Sequence, residues 1–256
     1  MSKAIDARSP GISYQALLDT DSHPVPDVLR QQSPAKRKHN DLSVDRYISA
    51  AYHDQEMTRL WSRVWQFACR EEHIPEVGDY TIYEIGSDSY IVIRSHAGNL
   101  KCFVNACLHR GRQLKQYDGN CSELRCPFHG FAWSTSGTLK DVPASWDFPQ
   151  IVASEFALPE AKVATWAGFV FINPDPNAAA FEEFLGDLPA HFERWNLTDR
   201  YVQTHVSKII RANWKISQEA FCEAFHISAT HPQALPYLGD TNSQADDWDT
   251  LARVIT

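Results

Sequence analysis

Cys107-Leu108-His109-Arg110-Gly111, answered by Cys126-Pro127-Phe128-His129-Gly130, decides how the rest of this chain is read. The two stretches hold a C-x-H pair and a C-x-x-H pair, with sixteen residues (110 to 125) between the inner ligands. Each pair brings one thiolate and one imidazole to a loop tip. Two such loops facing each other supply two sulfurs and two nitrogens to a metal centre. Gly111 and Gly130 carry no Cβ, so they allow tight turns and close approach of backbone to a bound group. Pro127 stiffens the second loop.

Three readings of this donor set compete. A structural zinc site of Cys₂His₂ type favours C-x₂₋₄-C with H-x₃₋₅-H, like ligands paired with like, whereas each pair here is mixed. Without any metal, the cysteines are small buried hydrophobes and the histidines surface residues. A Rieske 2Fe–2S cluster needs two Cys on one iron and two His on the other, and its neutral imidazoles raise the potential to roughly −150 to +300 mV. Cys107, His109, Cys126 and His129 match that set, and Arg110 adds positive charge beside it. The pattern resembles the Rieske proteins.

At 256 residues the chain is long enough for one or two domains, and 43% apolar residues with 12% aromatics allow a sizeable core. A formal net charge of −8 argues against a general nucleic-acid surface. The start, Met1-Ser2-Lys3-Ala4-Ile5-Asp6, has no apolar stretch of secretory type, and no apolar run approaches the length of a membrane span. A cytoplasmic location is therefore expected, with no membrane partner. Of the six Cys, the four outside the loops (Cys69, Cys102, Cys121 and Cys222) are read as reduced side chains.

Residues 1–44 are polar and rich in Pro, and they include the basic run Lys36-Arg37-Lys38-His39. They are expected to form an extended arm. Tyr47, Ala51, Met57, Leu60, Trp61, Val64 and Trp65 then recur at helical spacing, which predicts a helix from about Val44 to Arg70, with residues 45–65 assigned to it as a unit. From Val77 the period becomes two. Tyr80–Ile85 and Tyr90–Ile93 read as strands about a Gly86-Ser87-Asp88 turn, and Lys101–Asn105 as the strand that leads into the first Cys-His loop. Residues 66–172 thus form a small antiparallel β domain. Asn173-Pro174-Asp175-Pro176 marks a boundary, Phe181–Leu185 reads as a short helix, and Tyr201–Ile210 alternates as a strand. Residues 173–256 are assigned to a second domain.

That domain carries Asn213-Trp214-Lys215 and, further on, Glu223, His226, His231 and Pro232 in a stretch without internal Gly or Pro before Pro232. A single helix is expected there, with Glu223 and His226 on one face. His231 would lie about 140° from His226 on an ideal helix. Pro232 disfavours the α conformation for His231, so the helix should end near Thr230 and let His231 swing back. Two converging His with a carboxylate suit non-heme Fe(II).

Together, C-x-H…C-x-x-H and the Asn-Trp-Lys-initiated helix with [D/E]-x-x-H-x₄-H resemble the α subunits of Rieske non-heme iron oxygenases, the aromatic-ring-hydroxylating family. The match runs from about residue 45 to the last residue. It implies an α+β chain: an all-β Rieske domain beside an α+β helix-grip catalytic domain. By the same resemblance Cys107, His109, Cys126 and His129 hold a 2Fe–2S cluster, and His226 and His231 hold a mononuclear Fe²⁺. Glu223 stands in the place of the family's acidic bridge between the two metals, which is often Asp. The family's third iron ligand is an Asp far downstream of the second His. Only 25 residues follow His231; they contain Asp240, Asp246, Asp247 and Asp249, none at that position. The catalytic domain is therefore expected to be incomplete in this chain.

The function implied is a terminal oxygenase of aromatic catabolism. A reductase or ferredoxin supplies electrons, and O₂ is activated beside an apolar organic substrate, most often for cis-dihydroxylation. Such subunits form head-to-tail homotrimers, in some members with a β subunit. The alternatives are a monooxygenase or demethylase acting on a small quaternary amine, and an electron-transfer protein without oxygenase activity.

Overall fold

The computed structural model describes residues 12–34, 41–238, 242–248 and 251–255, in two compact units. One unit comprises residues 54–181 and 197–202; the other comprises the remaining described segments.

The first unit is built on ten short strands. β1 (Gln66–Arg70), β2 (Asp79–Ile85), β3 (Asp88–Arg94), β4 (Leu100–Val104), β5 (Gly119–Asn120), β9 (Glu160–Trp166) and β10 (Phe169–Asn173) form an antiparallel sheet in the order β1-β10-β9-β4-β3-β2-β5. β6 (Leu124–Arg125), β7 (Ala132–Trp133) and β8 (Leu139–Asp141) form a smaller one. Side chains alternate across a strand, and β3 uses both faces. Ile91 and Ile93 enter a core with Phe103, Leu114, Leu124, Phe131 and Trp133, while Tyr90 and Val92 enter a second core with Cys69, Ile74, Cys102, Val170 and Ile172. Each fully buried side chain of this size contributes about 1.5–3 kcal/mol. Cys107 and Cys126 belong to the first core, so the Cys-His loops grow directly out of the packed interior.

The second unit contains short helices, among them Tyr14–Leu18, Asp27–Arg30, Leu188–Phe192, Trp214–Glu219 and Ile227–Thr230, and the antiparallel hairpin β11 (Gln244–Asp247) and β12 (Ala252–Ile255). A buried ion pair organises it. Arg253 Nη2 lies 2.5 Å from Asp246 Oδ2, donates to the Gln31 carbonyl, and Nη1 donates to the Val28 carbonyl. The Ser33 backbone N–H donates to Asp246 Oδ1.

Four expectations differ from the structure. Residues 12–34 are not an extended arm: two helices form, and Gln15, Arg30 and Ser33 bond within the unit. The run Lys36–His39 lies outside the described residues. The helix expected to reach Arg70 breaks at Ser49, passes into a π turn at Met57–Trp61, and gives way at Gln66 to β1, because pairing with β10 satisfies that backbone instead. Tyr201–Ile210 alternates but forms no strand: no described strand pairs with it, and Tyr201, Val206, Ile209 and Ile210 are exposed. The single helix expected over 213–230 is two. Asn213 caps Trp214–Glu219, with its side chain accepting from Lys215 N. The chain then turns, and the Glu223 carboxylate takes the His226 backbone N–H ahead of Ile227–Thr230.

Candidate metal centres

The two Cys-His loops share one backbone design. In the first, Cys107 N donates to Arg112 O and Gly111 N to Cys107 O; in the second, Cys126 N donates to Phe131 O and Gly130 N to Cys126 O. Both five-residue loops end on a glycine with positive φ, 71° at Gly111 and 84° at Gly130, a conformation that costs other residues most. The closure is the same, yet the histidine occupies the third position of one loop and the fourth of the other.

Cys107 and Cys126 are 3% and 2% exposed, their thiols within hydrogen-bonding reach of each other. Burial pushes the Cys107 thiol up, against the backbone N–H groups of His109 and Arg110 that face its sulfur. The imidazoles lie at the outer end. His109 and His129 meet edge to face with ring centroids 4.7 Å apart, and His129 is exposed. His109 stacks on buried Phe131 at 4.9 Å with Phe148 at its edge. Desolvation, then the neighbouring His129 and Arg110, lower its affinity for a proton. His109 Nδ1 is buried without a hydrogen-bond partner. Such a group costs free energy unless something takes its lone pair.

These residues fit a 2Fe–2S cluster: two thiols at a buried end, two imidazoles at a wetter end, and one ring nitrogen in want of an acceptor for its lone pair. The loops are braced differently. Asn105 Oδ1 accepts from the backbone N–H of Leu114 and Lys115 behind the first loop, and Arg125 donates to the Gly130 carbonyl at 2.7 Å on the second. Sequence reasoning passed over both residues; the signal was a polar side chain one or two places before each cysteine.

In the second unit His226 and His231 come together across the Ile227–Thr230 turn, with ring centroids 5.4 Å apart and planes at 77°. Non-helical backbone at His231 (φ −126°, ψ 51°) ends that helix. Glu223 sits in the turn rather than on a helix face. One carboxylate oxygen takes the His226 backbone N–H at 3.1 Å and the other contacts His226 Nδ1. Burial pushes the Glu223 carboxyl up, but these contacts outweigh it and hold the group below its ordinary value. An ionised carboxylate only accepts, so the proton sits on His226 Nδ1, and Nε2 keeps its lone pair for a metal. Two imidazoles fit part of an iron site. Asp246 is committed to Arg253, Asp247 is exposed on β11, and Asp240 and Asp249 lie outside the described residues.

Residues 64–154 match the model of the Rieske [2Fe-2S] domain, and residues 185–252 match the ring-hydroxylating alpha subunit (catalytic domain). Relatives include the biphenyl 2,3-dioxygenase alpha subunit of Rhodococcus jostii, 31% identical over 72% of this chain and 42% of its own length. The chlorobenzene dioxygenase alpha subunit of a Cupriavidus species is 33% identical over the same shares. The chain thus spans less than half the length of these curated relatives. Among solved structures, naphthalene 1,2-dioxygenase from a Rhodococcus species with indole bound aligns at TM-score 0.65 and 34% identity, covering 77% of this chain and 48% of that one. A quaternary ammonium Rieske monooxygenase with L-carnitine aligns at TM-score 0.71 and 23% identity, covering 79% and 57%, a likeness of fold.

Proposed function

The chain belongs to the Rieske oxygenase α subunits of the ring-hydroxylating family, and from that premise we propose that it acts in the terminal oxygenase that inserts oxygen from O₂ into an aromatic substrate, by cis-dihydroxylation. The Rieske domain implies a 2Fe–2S cluster and the catalytic domain a mononuclear iron, which when bound supply electron transfer and O₂ activation.

The observation that carries this reading is the presence, in one chain, of a thiol-and-imidazole pocket and a second imidazole pair with its own carboxylate. An electron carrier needs only the first. Cys107 and Cys126 anchor from the core, and His109 and His129 bring the outer end toward solvent, where a reductase or ferredoxin can approach. Glu223 holds the His226 proton at Nδ1 and so fixes the ring that presents Nε2. The aromatic class follows the relatives named for biphenyl and chlorobenzene, each above 30% identical. We further assign the working enzyme to a homotrimer, with or without a β subunit, in the cytoplasm. Among the described residues no helix is long and apolar enough to cross a membrane, and all six cysteines are free.

The test, on enzyme with a complete catalytic domain, is anaerobic reconstitution and dithionite reduction followed by metal analysis and one turnover with ¹⁸O₂. About three irons and two sulfides per chain and a labelled diol from biphenyl, naphthalene or benzene support the proposal. Labelled product from carnitine alone would move the chain to quaternary-amine chemistry. Two irons, two sulfides and no product from any probe would leave an electron carrier.

A further inference from the structure

We propose that Arg125 is the positioning residue of the second Cys-His loop: with Glu123, Lys140 and Asp141 it forms a charged clasp that holds the loop shut and sets the orientation of His129. This rests on the assignment of Cys107, His109, Cys126 and His129 to a 2Fe–2S cluster.

The two loops have the same main-chain closure, so that closure cannot account for a difference between them. Their bracing does differ. The first loop is braced from within by Asn105, a buried neutral amide whose Oδ1 takes two backbone N–H groups and whose Nδ2 donates to the Lys115 carbonyl at 2.7 Å. The second loop is braced from outside by a cation. Arg125 Nη1 donates to the Gly130 carbonyl at 2.7 Å and to Asp141 Oδ2 at 3.1 Å, and Nε donates to Glu123 Oε1 at 2.7 Å. Lys140 Nζ donates to the other Glu123 oxygen at 3.0 Å. Lys140, and then Arg125, hold the Glu123 carboxyl below its ordinary value.

Arg125 ends β6 immediately before Cys126, and its guanidinium returns to the carbonyl immediately after His129. One side chain therefore spans the loop from root to exit and ties it to β8 through Asp141. Space above the loop is filled as well: a Cβ added at Gly130 would meet Pro143 Cγ at 3.1 Å and Arg125 Nη1 at 3.7 Å, whereas one added at Gly111 would meet nothing within 4 Å. The fork of an arginine makes these three contacts from fixed directions; a lysine ammonium has the charge without the fork. The clasp is also half open to water, with the Arg125 side chain 45% exposed, so salt screens it. Asn105 is 3% exposed and uncharged, and salt leaves its contacts alone. The outer imidazole of the second loop is thus held by the one brace that ionic strength can loosen.

The experiment uses the whole chain carrying its cluster and follows bleaching of the visible absorption in EDTA, the reduction potential, and the EPR spectrum of the dithionite-reduced protein. Wild-type loss of cluster should quicken as NaCl is raised. Arg125→Met should lose its cluster about threefold to tenfold faster at low salt, show little further dependence on salt, and have an altered EPR line shape and a lower potential. Arg125→Lys should keep the potential nearer wild type while losing cluster faster, which separates charge from fork. Asp141→Asn, which leaves Arg125 in place, should quicken cluster loss and change the EPR line shape by less, and should shift the potential in the opposite sense, because it removes a negative charge rather than a positive one. An Arg125→Met protein that melts at a lower temperature but matches wild type in EDTA, potential and EPR would make Arg125 an ordinary surface ion pair and overturn the proposal. A wild type that takes up no iron or sulfide would overturn the cluster assignment and this proposal with it.

Discussion

His109 and His129 face each other edge to face at 4.7 Å from loops closed by the same pair of backbone hydrogen bonds. The offset of one residue between them lets two loops of equal size present their imidazoles to a shared point. The thiols of Cys107 and Cys126 lie within hydrogen-bonding reach of each other in the core.

Cys107→Ser and Cys126→Ser should each abolish the cluster, because a hydroxyl at a buried thiolate position is a poor iron ligand. His109→Cys and His129→Cys should retain iron with a lower potential and a changed spectrum, since a thiolate replaces a neutral imidazole. Iron, sulfide and visible absorption measure both effects. Unchanged iron and sulfide in both Ser variants would remove these residues from the site.

The two centres should part under a chelator. His226 and His231 bring two imidazoles together, while the cluster would have four donors, two of them buried. Dialysis against EDTA is expected to remove about one iron per chain before the visible absorption falls. Loss of both in a single phase would contradict two independent sites.

Glu223→Gln keeps the size of the side chain and loses its charge. In enzyme with a complete catalytic domain, iron at His226 and His231 should persist, while turnover falls by about 10- to 100-fold or more, the usual effect of removing a carboxylate that orients a ligand imidazole. Iron content and product formation are measured on one preparation. If the iron disappears as well, Glu223 is itself a ligand.

Asp246 and Arg253 carry the prediction for stability. Burial pushes the Asp246 carboxyl up, but Gln244, the Ser33 backbone N–H and Arg253 outweigh it, and its value in the folded protein lies below the ordinary one. Its contribution is therefore fully present above about pH 4 and is lost as acid carries the pH down through the folded value. With the pair 3% and 7% exposed, Asp246→Asn strands a buried guanidinium and should cost about 3 kcal/mol in urea unfolding at neutral pH. The variant's stability should also be flatter than wild type in acid. Equal acid profiles for the two proteins would show that the pair does not govern this unit.

Residue type and spacing made much of this legible. Mixed Cys-His pairs with trailing glycines marked the loops, and short aromatic and β-branched runs about the Gly86-Ser87-Asp88 turn marked β2 and β3. Other features depend on partners that spacing does not reveal. Gln66–Arg70 continues a helical pattern and becomes a strand only because β10 lies beside it. Tyr201–Ile210 has the alternation of a strand and finds no partner among the described residues. The first helix ends at Glu219, and within the break the Glu223 carboxylate takes the His226 N–H. Propensity points the other way, because Glu is a good helix former. Arg125 and Asn105 were readable as polar residues near cysteines, but the contacts that brace the loops are to backbone groups, which no sequence pattern names.

The burial of Cys107 and Cys126 within the same core as Ile91, Phe103, Leu124 and Trp133 bears on how the protein is made. Thiols that are 2–3% exposed are shielded from iron and sulfide in solution. Taking up a cluster therefore draws on local opening of the two loops, and the rate of reconstitution should rise in mild denaturant.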